Sequence, residues 1–310
     1  MEINERNLKE LAKVIRFVAE TGTGTDQCLE EGCLPLMTHY YSPVPDLKEL
    51  ERRKVWDRTS DLKGLNLNAT FQITLLTQMA ETFSRECSWP KNATSNPEEF
   101  YWDNNCFSFQ CASLLHYMIR HFKPSRIIEV GSGFSSRIIN KAVEFNKKEN
   151  SSCIYEIIDP FPSETVKELS NLSKINVVKV EELSENLFAS LKSGDILFID
   201  SGHVVKTGGD VNFLILDILP ILQPGVIVHF HDICMPNEYS KTYFMNPRFR
   251  VFWTESYLLQ AFLAFNKEFE ILGAASYLST NHYDSFKKIF PADPGGNSGS
   301  FWIRRVVSTK

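Results

Sequence analysis

The sequence predicts a Rossmann-like α/β fold, in which a parallel sheet carries helices on both faces. From residue 108 onward, short runs rich in β-branched residues alternate with helical stretches, as in βαβ units. The run at 126–130 leads directly into a glycine-rich turn, Gly131-Ser132-Gly133, and then into a helical stretch at 135–145. The 310 residues suffice for one large α/β domain with an accessory region.

Five strands are predicted in chain order, and each is followed by a turn and in most cases by a helix. Strands joined through a helical crossover run parallel, so the five belong to one parallel sheet. Their predicted ranges are 126–130, 153–158, 175–180, 195–199 and 225–230.

The end of the chain predicts a return to the sheet. A helix at 255–264 is followed by two apolar runs, 269–272 and 300–306. A loop rich in Pro and Gly, at 291–299, separates the two runs.

The first third of the chain has a different pattern, without regular alternation of strands and helices. An amphipathic helix is predicted at 8–20, a loop at 21–46 and a second helix at 68–85. We therefore expect residues 106–310 to form the sheet domain. Residues 1–105 should form a mainly helical accessory region that helps to bind the acceptor substrate.

Composition excludes several classes of protein. A formal net charge of −5 gives no broad basic surface for nucleic acid. The longest apolar runs fall short of the roughly 20 residues needed to cross a bilayer, and the acidic, polar first residues do not resemble a secretion signal. The seven cysteines are odd in number and lack C-x-x-C spacing, so we expect reduced thiols and a cytoplasmic protein.

The glycine-rich turn predicts a nucleotide site, because backbone without side chains lets a ligand approach closely. Ser136 stands where a dinucleotide fingerprint has its third glycine, and Glu129 lies two residues before the first. A carboxylate there would weaken the positive potential that a pyrophosphate needs, whereas a sulfonium nucleoside with an amino group would tolerate or use it. The residues predicted to bind this nucleoside, called the donor below, are Glu129, Gly131, Ser132, Gly133, Ser135 and Ser136.

Further donor contacts are predicted beyond the turn. Asp159, at the end of the second strand, is placed to accept hydrogen bonds from ribose hydroxyls, although an Asp before Pro160 is also a common turn former. Glu181 and Glu182 follow the third strand and could reach an adenine amino group, or could simply favour a helix N-terminus. Asn105 precedes the helix before the first strand and could contact the donor's carboxylate.

A second group of polar residues follows strands four and five. Ligands in open α/β sheets gather at the carboxyl ends of the strands, and here those ends carry Asp200, His203, His231 and Asp232. His203 could be a general base, and Asp200 with Asp232 and His231 could hold a divalent ion. A polar network that only shapes the sheet edge is the remaining alternative.

Acceptor contacts are expected outside the common sheet. Two segments combine aromatic rings with hydrogen-bonding groups, as a sugar site would, although aromatic packing on the core is an equal alternative. The candidate acceptor residues are His39, Tyr40, Tyr41, Tyr101 and His231.

These motifs resemble the class I S-adenosylmethionine-dependent methyltransferases. The segment 128–133 resembles their first motif, and 159–162, 199–203 and 219–225 extend the likeness. The Asp-x-x-His element and the Pro-Gly before strand five resemble a bacterial O-methyltransferase group related to macrocin O-methyltransferases and cephalosporin-hydroxylase-like proteins. The resemblance covers residues 100–305.

The resemblance implies a seven-stranded sheet with an antiparallel last strand, S-adenosylmethionine as donor and a sugar or natural-product hydroxyl as acceptor. It also implies Mg²⁺ or another divalent cation held by Asp200 and Asp232. The base would be His203, which lies three residues after Asp200. His231 departs from this pattern, because an acidic or amide ligand stands there in such enzymes and histidine is an unusual ligand for magnesium. Homo-oligomers are common in the group, so a homo-oligomer is a further expectation.

The predicted function is therefore O-methylation of a hydroxyl on a carbohydrate or glycosylated metabolite. The acceptor would thus be a small molecule or a glycan. An N-methyltransferase acting on a small amine is the nearest variant. From other classes, an NAD-type oxidoreductase is disfavoured by Glu129, and a non-catalytic donor-binding protein is disfavoured by the intact segment from Asp200 to His203.

Overall fold

A computed structural model describes residues 5–246, 250–295 and 298–307. These residues group into two compact units. The smaller unit contains the described residues up to Arg58 together with the segment Ser240–Phe252. The larger one, called the sheet unit below, contains the other described residues.

Helices and strands are numbered in chain order. The helices are α1 (Glu5–Thr21), α2 (Thr25–Glu30), α3 (Leu47–Arg52), α4 (Ala69–Phe83), α5 (Phe109–Phe122), α6 (Phe134–Lys148), α7 (Glu164–Lys167), α8 (Asn186–Ala189), α9 (Asp210–Asn212), α10 (Lys241–Met245), α11 (Glu255–Leu263), α12 (Ala275–Asn281) and α13 (Tyr283–Ile289). The strands are β1 (Arg126–Val130), β2 (Ile154–Ile158), β3 (Lys174–Asn176), β4 (Ile196–Ile199), β5 (Ile227–Phe230), β6 (Phe269–Ala274) and β7 (Phe301–Arg305). A π-helix and four 3₁₀ segments complete the set: Phe213–Ile218, Val55–Asp57, Ser84–Glu86, Val180–Glu182 and Leu219–Ile221.

The seven strands form one sheet in the order β3-β2-β1-β4-β5-β7-β6. Strands β1 to β5 pair in parallel, and β7 runs antiparallel to both of its neighbours, β5 and β6. The strand order changes direction between β1 and β4, which is where ligands bind in open α/β sheets. The predicted seven-stranded sheet with its antiparallel last strand is confirmed.

The core lies on both faces of the sheet, as a parallel sheet covered by helices requires. Successive strand residues point to opposite faces, so Ile127 and Ile128 belong to different buried clusters. The cluster of Ile127 includes residues of α4, α5 and α6, and the cluster of Ile128 includes residues of the π-helix and α11. Both side chains are fully buried. Because helices cover both faces of the sheet, most residues of the central strands are apolar.

Most predicted elements agree with the structure, and two predictions were wrong in part. The third strand was expected to reach residue 180, but it ends at Asn176, which pairs with Ile158, the last residue of β2. Beyond that pair the chain has no partner strand to extend along. The loop expected at 21–46 contains α2, a short helix between Gly24 and Gly32, whose φ angles are +85° and +73°.

The first third of the described chain is helical, as expected. Within the smaller unit, Asp46 caps α3 by accepting hydrogen bonds from the backbone N–H groups of Lys48 and Glu49. Within the sheet unit, α4 packs against α5 and β6, where Gln72 accepts a hydrogen bond from the Ala274 N–H at 2.7 Å. The proposed domain boundary at residue 105 remains a prediction. None of the helices in the described ranges is both long and apolar enough to span a membrane.

Candidate active site

The glycine turn connects β1 to α6 and packs against Asp200, the residue directly after β4. Gly131 has a φ of +80°, and its N–H donates to Ile158 O at 2.9 Å. A Cβ on Gly131 would lie 1.9 Å from the carbonyl oxygen of Asp200. Glycine is therefore required here by the close approach of β4 and by the left-handed backbone, in addition to any approach of a ligand. At Gly133 a Cβ would meet open space.

Glu129 is fully buried beneath this turn, and hydroxyl groups bond both of its carboxyl oxygens. Ser135 Oγ donates to one oxygen at 2.7 Å, and the Tyr155 hydroxyl donates to the other. Burial raises the pKa of Glu129 to about 8, although both hydroxyls and Ser136 oppose the shift. Through these two hydrogen bonds, the Glu129 carboxyl ties β1 to β2 and to the first turn of α6.

The other predicted donor residues surround the turn. Ser132 Oγ donates to Asp159 Oδ2 at 2.5 Å, and the Phe161 N–H donates to Asp159 Oδ1 at 2.7 Å. Asp159 is thus both a turn former and a partly exposed carboxylate beside the turn. Ser136 is buried, and its Oγ accepts a hydrogen bond from Gly133 N–H at 3.0 Å, so it stabilises the start of α6.

Three more predicted donor residues lie on connecting segments. Glu181 and Glu182 lie in the 3₁₀ segment after β3, where Glu181 is half-buried and Glu182 is exposed. Asn105 is exposed, with a φ of +59°, in the loop before α5. That loop is organised by its neighbour Asn104, whose side-chain oxygen accepts hydrogen bonds from the N–H groups of Cys106 and Phe107. The donor contacts of all three remain predictions.

The ends of β4 and β5 bring the predicted catalytic residues together. His203 Nε2 lies 3.3 Å from Asp200 Oδ1 and 3.7 Å from Asp232 Oδ2. Asp232 reaches this position because β5 ends at Phe230 and the backbone turns to a φ of +55°. Simple strand alternation would direct it elsewhere. His203 also has a left-handed φ, +56°, and such backbone strain is common at functional sites.

His203 is oriented by a residue that the sequence did not reveal. Its Nδ1 lies 2.7 Å from Glu255 Oε2, a buried carboxylate at the start of α11. Because a carboxylate accepts only, Nδ1 carries the proton and Nε2 faces the two aspartates. Trp253 lies against the same imidazole, with 4.6 Å between ring centroids.

His231, the residue directly after β5, completes the cluster. Its Nδ1 lies 3.5 Å from Asp200 Oδ1 and 3.4 Å from Asp232 Oδ2. The ring is almost fully buried and stacks on Phe107, with 4.8 Å between centroids and 24° between planes. His229, two residues earlier, faces the same way along the strand but bonds Ser300 Oγ through Nε2 at 3.0 Å.

The charges of this cluster are strongly coupled. Burial favours the neutral imidazole, but Asp200 and Glu255 outweigh it and raise the pKa of His203 to about 10. The pKa of His231 is also raised, by Asp200 and Asp232 against burial. Burial opposes ionisation of Asp200, yet the two histidines hold its pKa well below the ordinary value. Attraction between the imidazoles and the carboxylates therefore outweighs burial for His203, His231 and Asp200.

The donor set fits a divalent cation. One ligand atom each from Asp200, His231 and Asp232 lies within 4.8 Å of the others. Two carboxylates that converge on a partly exposed position are the usual oxygen donors for such ions.

The predicted acceptor residues lie in two places. In the smaller unit, the exposed rings of Tyr40 and Tyr41 pack edge to face, with 5.2 Å between centroids, and His39 Nδ1 accepts a hydrogen bond from Tyr41 N–H. In the sheet unit, Tyr101 packs edge to face on Phe134 at the start of α6, with 5.1 Å between centroids. Tyr101 thus has a packing role, and acceptor binding by all four residues remains a prediction.

The sequence analysis missed Glu255, Trp253 and Tyr155. Glu255 is 52 residues away from its partner His203. The one available signal was an acidic residue at the start of an otherwise apolar helix, which capping explains equally well. Tyr155 lies inside an apolar strand, where an aromatic residue is ordinary.

The fold is that of a class I methyltransferase: a seven-stranded sheet with an antiparallel last strand and a glycine-rich turn after β1. Residues 128–233 match a family model described as a methyltransferase domain. An uncharacterized protein of Archaeoglobus fulgidus is 31% identical over 163 residues, which cover 51% of this chain and 71% of the relative. The chain belongs to the same family as this archaeal protein, and it contains a methyltransferase domain.

Similar solved structures include two O-methyltransferases. One is TomG from Streptomyces achromogenes, involved in tomaymycin synthesis and solved with SAM, with 14% identity, a TM-score of 0.39, and coverage of 75% of this chain and 90% of that one. Another is the Bacillus cereus enzyme solved with SAH, with 10% identity, a TM-score of 0.37, and coverage of 76% and 91%. Membership of the family rests on the sequence match with the archaeal protein.

Proposed function

We propose that this protein is an S-adenosylmethionine-dependent O-methyltransferase whose acceptor is a hydroxyl on a carbohydrate or glycosylated metabolite. One observation carries the proposal: the glycine turn packs directly against Asp200, the residue that begins the titratable cluster. A methyl donor held by the turn would place its reactive carbon beside groups able to accept a proton. Proximity of this kind is what a two-substrate transfer needs.

The turn and its neighbours supply the donor site. A Cβ at Gly133 would meet open space, which leaves room for the nucleoside, and Asp159 offers a carboxylate to the ribose hydroxyls. Glu129 acts through its hydrogen bonds, because its carboxyl is buried and holds Ser135 and Tyr155. Glu181, Glu182 and Asn105 are the further donor contacts that we propose.

His203 is the proposed base. Glu255 fixes its tautomer, so that Nε2 faces the space between Asp200 and Asp232. The acceptor oxygen attacks the sulfonium methyl in line, and the carbon–sulfur bond breaks to leave S-adenosylhomocysteine. The hydroxyl proton passes to Nε2 of the neutral imidazole, the form of His203 that can accept it. A divalent cation held by Asp200 and Asp232 would supply positive charge that acidifies the acceptor hydroxyl and lowers the proton affinity of His203.

A sugar acceptor is supported by an aromatic ring that lies against the base. Trp253 is half-buried and lies 4.6 Å, centroid to centroid, from the imidazole of His203. An indole face beside polar groups suits a ring that has one apolar face and several hydroxyls. His39, Tyr40, Tyr41 and Tyr101 are proposed as further acceptor contacts.

The proposal is tested first by donor binding and then by transfer. Calorimetry should detect binding of S-adenosylhomocysteine and no comparable binding of NAD. Purified protein with S-adenosylmethionine should add one methyl group to members of a panel of glycosides, detected by mass spectrometry. Amines in the same panel test the N-methyl alternative. Failure to bind S-adenosylhomocysteine would refute the donor assignment.

A further inference from the structure

His231 stands where an oxygen ligand would make the cluster a site for hard cations. Its Nδ1 lies 3.5 and 3.4 Å from the nearest oxygens of Asp200 and Asp232. Both distances are longer than an ordinary N–H···O hydrogen bond, about 2.7–3.2 Å. Two ligand atoms that each lie about 2.1 Å from one ion are about 3.0 Å apart at a right angle and about 3.4 Å apart at a tetrahedral angle. The spacing therefore matches ligands around a shared ion.

We infer that His231 Nδ1 is a direct metal ligand, and that the site takes a first-row transition ion such as Mn²⁺, Fe²⁺, Co²⁺ or Zn²⁺ in preference to Mg²⁺. The inference rests on the proposed function only for the place of the ion. Mg²⁺ prefers oxygen ligands and keeps several waters, whereas an imidazole nitrogen suits the transition ions.

The imidazole is held in place before any ion binds. Phe107 stacks on the ring, and the His231 N–H donates to Ile199 O at 3.0 Å, which continues the β4–β5 pairing. Only 4% of the residue is exposed, so its ring has already lost most of its water. A ligand that needs neither reorientation nor dehydration binds an ion with little entropic cost.

The other two histidines of the cluster have different roles. His203 is held by Glu255 and is the proposed base. His229 bonds Ser300 and stacks on the ring of Phe198 with 4.1 Å between centroids. His231 is therefore the nitrogen ligand that the cluster itself provides.

The experiment uses the full-length protein after removal of metal with a chelator. Affinities for Mg²⁺, Mn²⁺ and Co²⁺ are measured by calorimetry and by the shift in melting temperature. We expect Mn²⁺ and Co²⁺ to bind at least about tenfold more tightly than Mg²⁺. Electron paramagnetic resonance of the Mn²⁺ protein should show coupling to one ¹⁴N nucleus, a result that needs no variant.

His231→Asn replaces the nitrogen ligand with an amide oxygen at nearly the same distance from the backbone. This variant should lose the preference for Co²⁺ by about tenfold or more while it retains Mg²⁺ binding. The matched control is His282→Asn, because His282 bonds the Tyr277 hydroxyl at 3.2 Å, outside the cluster, and should leave all affinities unchanged.

Three results would overturn the inference: Mg²⁺ binding as tight as that of Mn²⁺ and Co²⁺, absence of ¹⁴N coupling, or binding of no ion at all. If the ion inference fails but the protein still transfers methyl groups without any bound ion, the proposed function stands on its own. Conversely, loss of S-adenosylhomocysteine binding would refute the donor site and leave the ion preference standing.

Discussion

Gly131→Ala is the change that tests the junction of turn and cluster most directly. The new Cβ would lie 1.9 Å from Asp200 O, so one of the two backbones must shift by at least about 1 Å to reach a tolerable contact of about 3.0 Å. A left-handed backbone costs a side-chain-bearing residue about 1–2 kcal/mol, and overpacking costs about 1–3 kcal/mol more. We expect a loss of about 2–5 kcal/mol in the free energy of unfolding.

Gly194→Ala is the matched control for this change. Gly194 has a φ of +87°, but a Cβ there would meet nothing within 4 Å. The control therefore carries the conformational cost of about 1–2 kcal/mol alone. Urea denaturation of both variants and the wild type, with binding of S-adenosylhomocysteine to the folded forms, measures the difference. If Gly131→Ala were no more destabilising than Gly194→Ala, this would contradict the claim that Gly131 lies in close contact with Asp200 O.

Three further predictions concern the titratable residues. His203→Asn should leave S-adenosylhomocysteine binding nearly unchanged and lower turnover by about 100-fold or more, because a general base contributes about 10²–10⁴-fold; equal losses in both assays would show a structural role. Glu255→Gln should lower the pKa of His203, since Glu255 raises it, and should move the acid limb of the pH–rate profile to lower pH; an unmoved limb would contradict the pairing. Glu129→Gln should remove a pH dependence of stability: the pKa of Glu129 is raised from 4.5 to about 8, so its contribution is complete below pH 4.5 and is lost as the pH rises to about 8. Urea denaturation at pH 5 and pH 8.5 should therefore show a loss at the higher pH that is smaller in the variant than in the wild type.

The central strands were predictable because both of their faces are buried. Arg126–Val130 agrees with the predicted range residue for residue, since an apolar run bounded by turn residues has no other place in a covered parallel sheet. The edge strand β3 was predicted too long. Val177 is apolar yet 54% exposed, because the pairing with β2 has already ended.

Local pattern predicted part of the candidate site, and tertiary structure supplied the rest. Asp200 and His203 follow a predicted strand end, so their place in the fold was predictable. Asp232 joins them only because its backbone adopts a left-handed conformation, which strand alternation does not predict. Glu255 meets His203 through the docking of α11, and nothing in the order of residues links two positions that far apart.

Only part of the role of the glycine turn could be predicted from the sequence. Its glycines predicted room for a ligand. The structure adds that Gly131 is required by the backbone of Asp200, so the turn that would hold the donor and the cluster that would accept the proton share one backbone contact. A change in one is therefore expected to disturb the other.

The most direct test of the whole account is a crystal structure of the protein with S-adenosylhomocysteine and Mn²⁺. We predict the nucleoside along the turn from Gly131 to Gly133, with its ribose at Asp159 and its sulfur facing the space between Asp200, His203 and Asp232. The ion should be bound by Asp200, Asp232 and His231 Nδ1. A ligand bound elsewhere, or a sulfur directed away from His203, would contradict the account.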